Sequence, residues 1–313
     1  VNLLELVRVI LLIYYYRISF GGDVLYYPPA GPHRVPVYRD MIILLATRWM
    51  FRRTVFHFHA CGLAEIEPKL SRPARLLFRW AYHDADAAIR SSTLIPNDGE
   101  RLGSQREYIV PLGVEDHGER TTLPSSNIPT ILLAGIVSEN KGVLVFLNAC
   151  GKLARNGHAF RVDVLGDFES QQFKSRVHQL LGELALVDRI HFHGVVTCPR
   201  MHHFLAPADL PCSPSHHPTA AVGLVVAQAL PPGLPVVATR WRAVPSIVVE
   251  GQTGLLVEPG DDDALAAALE TLVTSRELRR QMGERSRRRY LEEFTAERYV
   301  SRIEHAFLEV AAL

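Results

Sequence analysis

The chain has 313 residues, 48% hydrophobic and 21% charged, and its 34 Lys and Arg against 33 Asp and Glu leave a net charge of +1. At roughly 150 residues per domain this suggests about two domains, and the balance excludes a disordered chain, a collagen and a coiled-coil rod. Near-neutrality removes any long-range pull toward nucleic acid or an anionic membrane, while leaving room for a local basic patch.

Residues 1–20 are strongly apolar, but Glu5, Arg8 and Arg17 interrupt them, and the longest apolar run, 9–16, falls far short of the ~20 residues that cross a bilayer. The segment has neither the charged start nor the small-residue cleavage site of a signal peptide. Leu3, Leu4, Val7, Ile10 and Leu11 lie at helical spacing and predict a buried amphipathic helix; the alternative is a helix lying in a membrane interface. Residues 23–27 read as a short buried strand, ended by Pro28, Pro29, Gly31 and Pro32. A helix is predicted over 39–50. A strand over 54–59 follows, with Val55, His57 and His59 on one face. A Ser-Arg-Pro start predicts a helix over 73–82, and short strands are expected at 87–89 and 108–110.

Residues 115–130 are polar and contain Pro and Ser, the chemistry of a linker, which places a boundary near residue 120. Beyond it, strands are predicted at 130–134, 160–165, 189–192, 208–212, 234–238 and 254–257. Helices are predicted at 142–155, 170–185, 199–206, 223–230, 245–249 and 262–274. Two more, at 276–291 and 296–312, close the chain. Short apolar strands alternating with helices imply a parallel sheet covered on both faces. Ligands in such folds bind beyond the carboxyl ends of the strands and in clefts between domains.

Cys61, Cys150, Cys198 and Cys212 form no C-x-x-C pair and suit a reducing compartment better than a disulfide scaffold. The 14 histidines include His-x-His at 57/59 and 191/193 and His-His at 202/203 and 216/217, without carboxylates or thiols at metal spacing, so no metal site is expected. Only four residues are Lys: Lys69, Lys141, Lys152 and Lys174. Neither a G-x-G-x-x-G after a strand nor a P-loop is present.

Two stretches carry chemistry. In 214–268 a loop runs into a helix starting at Gly223-Leu224-Val225, whose free N–H groups suit a diphosphate, and Gly223 permits close backbone approach. In 135–142, Gly135 follows a strand and Lys141-Gly142 opens a helix. A cation is mildly unfavourable at a helix start, so Lys141 there points to an anionic ligand more than to a solvated surface.

These stretches resemble the donor lobe of the family 4 glycosyltransferases, retaining enzymes of GT-B architecture. The family's Gly-Arg-x4-Lys-Gly is similar to 135–142, its PSxxExFGLVxxEAMAxGxPVVA to 214–238, its GGxPE to 242–246 and its GxLVxPxD with an Ala-rich helix to 254–268. Gly166 and Gly194 match its nucleotide-side loops, and His59 its strand-end histidine. The resemblance implies an α/β, GT-B-like fold: two Rossmann-like lobes with parallel sheets and a cleft between them, the first lobe incomplete because the family's first strand and Gly-rich loop have no counterpart here. The lobes would be an acceptor-side lobe over 1–120 and a nucleotide-sugar-binding lobe over 121–295, with a final helix at 296–313 packing back on the first. It implies catalytic roles for His59 and Lys141. Donor contacts would come from Gly135, Gly142, Gly166, Gly194, Ser215, Gly223, Leu224, Val225 and Gln228.

The departures are equally specific. The family's Arg is Ile136, the two Glu of its E-x7-E pair are Ala220 and Gln228, its Gly-Gly is Arg242-Ala243, and its following acid is Ser246. Losing a charged hydrogen bond can cost about 1.5–3 kcal/mol. Gln228 keeps a carbonyl for a ribose hydroxyl, Arg240 and Arg242 are expected to be solvated at the surface, the alternative being that one of them replaces the lost cation, and His216 and His217 sit in the donor loop as filler or sugar contacts. The implied function is hexosyl transfer from a nucleoside diphosphate sugar to an acceptor hydroxyl with retention. The donor is a co-substrate, with no separate cofactor and no metal. The acceptor would be a carbohydrate or a lipid-linked sugar in polysaccharide biosynthesis. No nucleic acid is expected, peripheral membrane contact is open, and the location is the cytoplasm or the inner membrane face. The alternative is a non-catalytic GT-B-like pseudoenzyme or fragment binding nucleotide or a partner protein.

Overall fold

The structure, a computed structural model, describes residues 3–116, 118, 128–218 and 223–313. In chain order the elements are α1 (Leu3–Phe20), β1 (Val24–Tyr27), α2 (Arg34–Thr47), β2 (Arg53–Phe58), α3 (Arg72–Tyr82), β3 (Ala87–Arg90), α4 (Asp98–Arg101) and β4 (Glu107–Ile109). Next come β5 (Thr130–Ala134), α5 (Val143–Arg155), β6 (Arg161–Leu165), α6 (Gln171–Glu183), β7 (Ile190–Phe192), α7 (Cys198–Leu205) and β8 (Leu210–Ser213). The last are α8 (Leu224–Gln228), β9 (Val236–Thr239), α9 (Val244–Ile247), β10 (Gly254–Val257), α10 (Asp262–Thr274), α11 (Arg276–Arg289) and α12 (Ala296–Ala311). Two compact units result. One comprises 3–111 and 297–313, the other 112–218 and 223–296, over the described residues. The expected boundary at residue 120 lies outside the described residues, as does Ala220.

The first unit is built on a parallel sheet of order β1-β2-β3-β4. Successive side chains of a strand point to opposite faces, and here both faces are apolar. Phe56, Phe58 and Ala88 meet Val37, Met41 and Leu44 of α2 and Phe78 and Tyr82 of α3. On the other face Val55, Ala87, Ile89 and Val110 meet Ala306 and Val310 of α12.

The second unit repeats the design in a six-stranded parallel sheet, β10-β9-β8-β5-β6-β7. Ile131 and Leu133 of β5 and Val162 and Val164 of β6 face Phe146, Cys150, Val177 and Leu269 of α5, α6 and α10. Leu132, Leu165 and Ala238 face Leu205, Val226 and Ile247, together with Tyr290 and Phe294 from a π turn after α11. Each fully buried Leu, Val or Phe contributes about 1.5–3 kcal/mol of transfer free energy. This continuous burial on both faces explains why the strands read as apolar runs rather than alternating ones.

Three expectations change. α2 begins at Arg34, five residues before the expected start, because Pro36 sits in its first turn, where a missing N–H costs nothing. The short α4 was not expected; the Asn97 side chain caps it by accepting from Glu100 N–H at 3.0 Å. In α1, Leu3, Leu4, Val7 and Leu11 are exposed rather than buried, and Leu6 is the buried position. Among the described residues, no helix is long and apolar enough to cross a membrane.

Candidate active site

In the second unit the loops leaving the carboxyl ends of the strands form a rim whose order follows the strand order. The loop after β5 lies along the loop after β6: Gly135 N–H donates to Leu165 O at 2.9 Å and Val137 N–H to Asp167 O at 2.8 Å. Glu169 N–H returns a bond to Val137 O at 3.1 Å. Gly166 N–H donates to Gly194 O at 2.7 Å, which brings in the loop after β7. On its other side the β5 loop meets the β8 loop, where His216 N–H donates to Asn140 O at 3.0 Å. The β9 loop closes the row. Trp241 Nε1–H donates to His217 O at 3.0 Å, and an Arg242 Nη2–H to Pro218 O at 2.9 Å. The Thr239 hydroxyl donates to Ser215 O at 2.5 Å.

Two glycines make the close approaches possible. A Cβ on Gly166, which has φ of +134°, would stand 1.9 Å from Gly135 O. A Cβ on Gly142, with φ of +71°, would stand 2.1 Å from Pro214 O. Neither position can hold a side chain without moving backbone. Gly166→Ala is therefore expected to destabilise the protein by about 2–4 kcal/mol through strain and overpacking, read as a lowered thermal midpoint. An unchanged midpoint would show that the two loops are not held this close.

This packing gathers Gly135, Lys141, Gly142, Gly166, Gly194 and Ser215 at one end of the sheet. Lys141 is partly buried, and no ion pair joins it to another described residue. Burial pulls its ammonium below the usual lysine range. His216 carries a second unmet demand: its Nδ1 is buried without a hydrogen-bond partner among the described residues. A buried polar nitrogen left unpaired costs free energy, and a bound acceptor or donor would satisfy it. Gly223 opens α8 and packs so closely on α9 that an added Cβ would be 3.3 Å from Ile247 Cδ1. Leu224 is exposed and Val225 partly buried at the start of α8. Gln228, at the end of α8, lines a pocket with Val114, Met201, His202 and Pro231.

Arg240 and Arg242, the alternative replacement cations, are engaged elsewhere. Arg240 reaches Glu250 at 3.2 Å and Glu258 at 3.3 Å, so its charge is locally balanced. Arg242 clamps the β8 loop and lies over the Trp241 ring at 5.2 Å. Ile136 is 60% exposed, and the Ser246 hydroxyl donates to Ala243 O at 2.6 Å. Sequence reasoning missed Thr239 and Trp241 as loop holders. Their only local signal is a strand end followed by one of three tryptophans.

His59 belongs to the first unit, one residue beyond β2, and is exposed. Its ring lies 4.0 Å from that of His57. His57 is buried, accepts from or donates to the Tyr26 hydroxyl through Nδ1 at 2.7 Å, and is pulled down to about 3 by burial and then by His59.

Residues 119–289, more than half of the chain, match the glycosyl transferases group 1 family. The chain belongs to that family. One relative is the MMP alpha-(1->4)-mannosyltransferase of Mycolicibacterium hassiacum, 28% identical over 284 residues. The alignment covers 88% of this chain but 65% of that protein, so the chain spans just under two thirds of that relative's length. Among solved structures, the sucrose-phosphate synthase of Thermosynechococcus elongatus superposes with a TM-score of 0.77 at 20% identity, covering 98% of this chain and 78% of that one. HepE of Anabaena, solved with UDP and glucose, gives 0.75 at 18% identity, covering 98% and 81%. These likenesses establish the GT-B fold for this group 1 chain.

Proposed function

We propose that this group 1 chain transfers a hexosyl unit from a nucleoside diphosphate sugar to the hydroxyl of a carbohydrate or lipid-linked acceptor, with retention. Residues 121–295 are read as the donor lobe and 1–120 as the acceptor-side lobe. The observation that carries the reading is Lys141: a partly buried ammonium without a carboxylate partner among the described residues, beside loops packed backbone to backbone through Gly135, Gly142 and Gly166. A diphosphate supplies the missing counter-charge. Lys141 and the amides at 223–225 are assigned to it, Ser215 and Gly194 to the rim around it, and Gln228 to a ribose hydroxyl. In the proposed step the bond from the sugar C1 to the β-phosphate oxygen breaks. A bond from C1 to the acceptor oxygen forms on the same face, and the acceptor proton passes to the departing phosphate. Positive charge aimed at that developing negative charge lowers the barrier. His59 is read as an acceptor or sugar contact on its family match alone. HepE, similar in fold, was solved with UDP and glucose, which supports a donor of this class.

A second reading, nucleotide binding without turnover, is favoured by one observation: an exposed Ile136 where the family places an Arg. A thermal-shift series with UDP, GDP, ADP, TDP and their sugar conjugates tests the first reading. At 100 times its dissociation constant a ligand stabilises by about 2.7 kcal/mol, which raises the midpoint by several degrees. A shift with one base, followed by release of that nucleoside diphosphate in the presence of acceptor sugars, is the expected result. A shift without release assigns the second reading. A well-folded sample unmoved by every nucleotide overturns both.

A further inference from the structure

His57 breaks the pattern of its strand. From Val55 to Phe58 β2 is buried throughout, and His57, 2% exposed, is the polar side chain among them. An apolar side chain would fill this position without needing a hydrogen bond, whereas a buried imidazole needs one. Departures from local consistency concentrate at functional sites. The bond that His57 makes is specific. The Tyr26 hydroxyl, on the neighbouring strand β1, meets His57 Nδ1 at 2.7 Å and is hydrogen-bonded as well to Tyr299 of α12. Tyr26 also stands edge-on to Phe307 of the same helix, 5.4 Å between ring centroids. The Tyr299 ring lies 6.3 Å from that of His57, 30° from parallel. The His57 imidazole therefore cannot turn over without breaking a hydrogen bond. With its pKa pulled down to about 3, it is neutral near pH 7. The exposed His59 ring rests on it, 4.0 Å between centroids and 35° between planes.

A second buried group holds the backbone beyond His59. Asp98, 1% exposed in α4, accepts from Gly62 N–H on Oδ2 at 2.7 Å and from Ala64 N–H on Oδ1 at 2.9 Å. A buried carboxylate is costly unless its oxygens are bonded, and both oxygens are spent on the turn that follows His59. The His59 ring thus has a fixed floor, and its backbone a fixed exit. An exposed side chain fixed in this way is ordered before a ligand arrives, which spares the entropy of ordering it on binding.

We propose that Tyr26 and His57 are positioning residues for His59, with Asp98 holding the turn behind it, and that together they fix the His59 ring in one geometry toward the acceptor or the transferred sugar. The proposal rests on the reading of His59 as an acceptor or sugar contact. Tyr26→Phe removes one hydroxyl and keeps the ring. It should lower kcat/KM for the acceptor by roughly tenfold, since small misplacements of a contacting group are costly. Affinity for the nucleoside diphosphate that gives the thermal shift should not change. In a His59→Ala background the same substitution should cost nothing further, because two groups acting through one contact are not additive. Histidine labelled with 13C reads the geometry without turnover: relaxation of the His59 ring should show its order falling in Tyr26→Phe. His57→Leu should loosen the ring in the same way, and His57→Asn, which keeps a polar atom where Nδ1 stands, guards against a variant that fails to fold. An unaltered His59 ring in Tyr26→Phe overturns the proposal, whatever the transfer rates, as does a loss of rate that persists in Y26F/H59A. If Tyr26→Phe loosens the ring while His59→Ala transfers at the native rate, the reading of His59 fails and takes the proposal with it. If the chain binds nucleotide without turnover, ring order alone decides.

Discussion

Lys141→Ala is expected to lower turnover by about 10²–10³-fold, the usual consequence of removing one group aimed at developing negative charge. The physical case begins with an imbalance. The fold holds the Lys141 ammonium partly out of water, with no carboxylate paired to it among the described residues, and burial depresses its pKa. A bound diphosphate reverses that depression, because an anion nearby favours the charged amine. The sign of the pH effect follows. In the free protein the ammonium loses its proton at lower pH than an ordinary lysine, and the complex holds it more firmly. Diphosphate affinity should therefore fall as pH rises through the lowered pKa, and Lys141→Met should abolish this alkaline loss. Lys141→Arg keeps the charge with a different donor geometry and should retain part of the activity. Titration calorimetry with the nucleoside diphosphate that gives the thermal shift, together with steady-state transfer rates, reads both effects. Unchanged affinity and rate in Lys141→Ala would remove the residue from the site.

Arg279→Ala should cost about 3–5 kcal/mol of stability, a fall in midpoint on the order of 10 °C. Arg279 is only 9% exposed although it lies in the most arginine-rich helix of the chain. Its Nη1–H groups donate to Leu272 O at 2.6 Å and Val273 O at 3.0 Å, which satisfies carbonyls at the end of α10. Its Nε lies 3.7 Å from Asp209 Oδ1. Asp209 in turn accepts from Thr130 N–H at 2.9 Å, at the start of the central strand β5. Truncation leaves Asp209 buried without that cation and frees two carbonyls, so the loss far exceeds that of a surface pair. Arg280, the next residue, pairs with Glu277 and Glu284 in solvent. Arg280→Ala should leave the midpoint essentially unchanged. Equal effects at the two positions would contradict the burial assigned to Arg279. Chemical denaturation of both variants checks the contrast.

Most of the sheet framework was legible in the chain. The apolar runs at 130–134 and 254–257 became strands at those residues, because a strand buried on both faces needs nothing but apolar side chains and a turn at each end. The glycine and lysine spacing of 135–142 likewise announced a loop that must approach other backbone closely. What remained illegible depends on residues far apart in sequence. Nothing near Trp241 says that it will hold the carbonyl of His217, and nothing near Arg240 says that Glu250 and Glu258 will neutralise it.

The first helix shows the limit most directly. Its periodicity is satisfied equally by a stripe facing the protein and a stripe facing out, since both are apolar, and the packing of Tyr14 and Arg17 on α2 and the turn after it decides which is which. The sequence by itself determined the α/β alternation, the glycine-bearing loops and the group 1 family, because these rest on local period and turn chemistry. Only the tertiary structure decided which charges are balanced, leaving Lys141 without an acidic partner among the described residues, and which of two adjacent arginines is buried. Solvation and pairing are set by neighbours that the chain brings together only when its two sheets have formed.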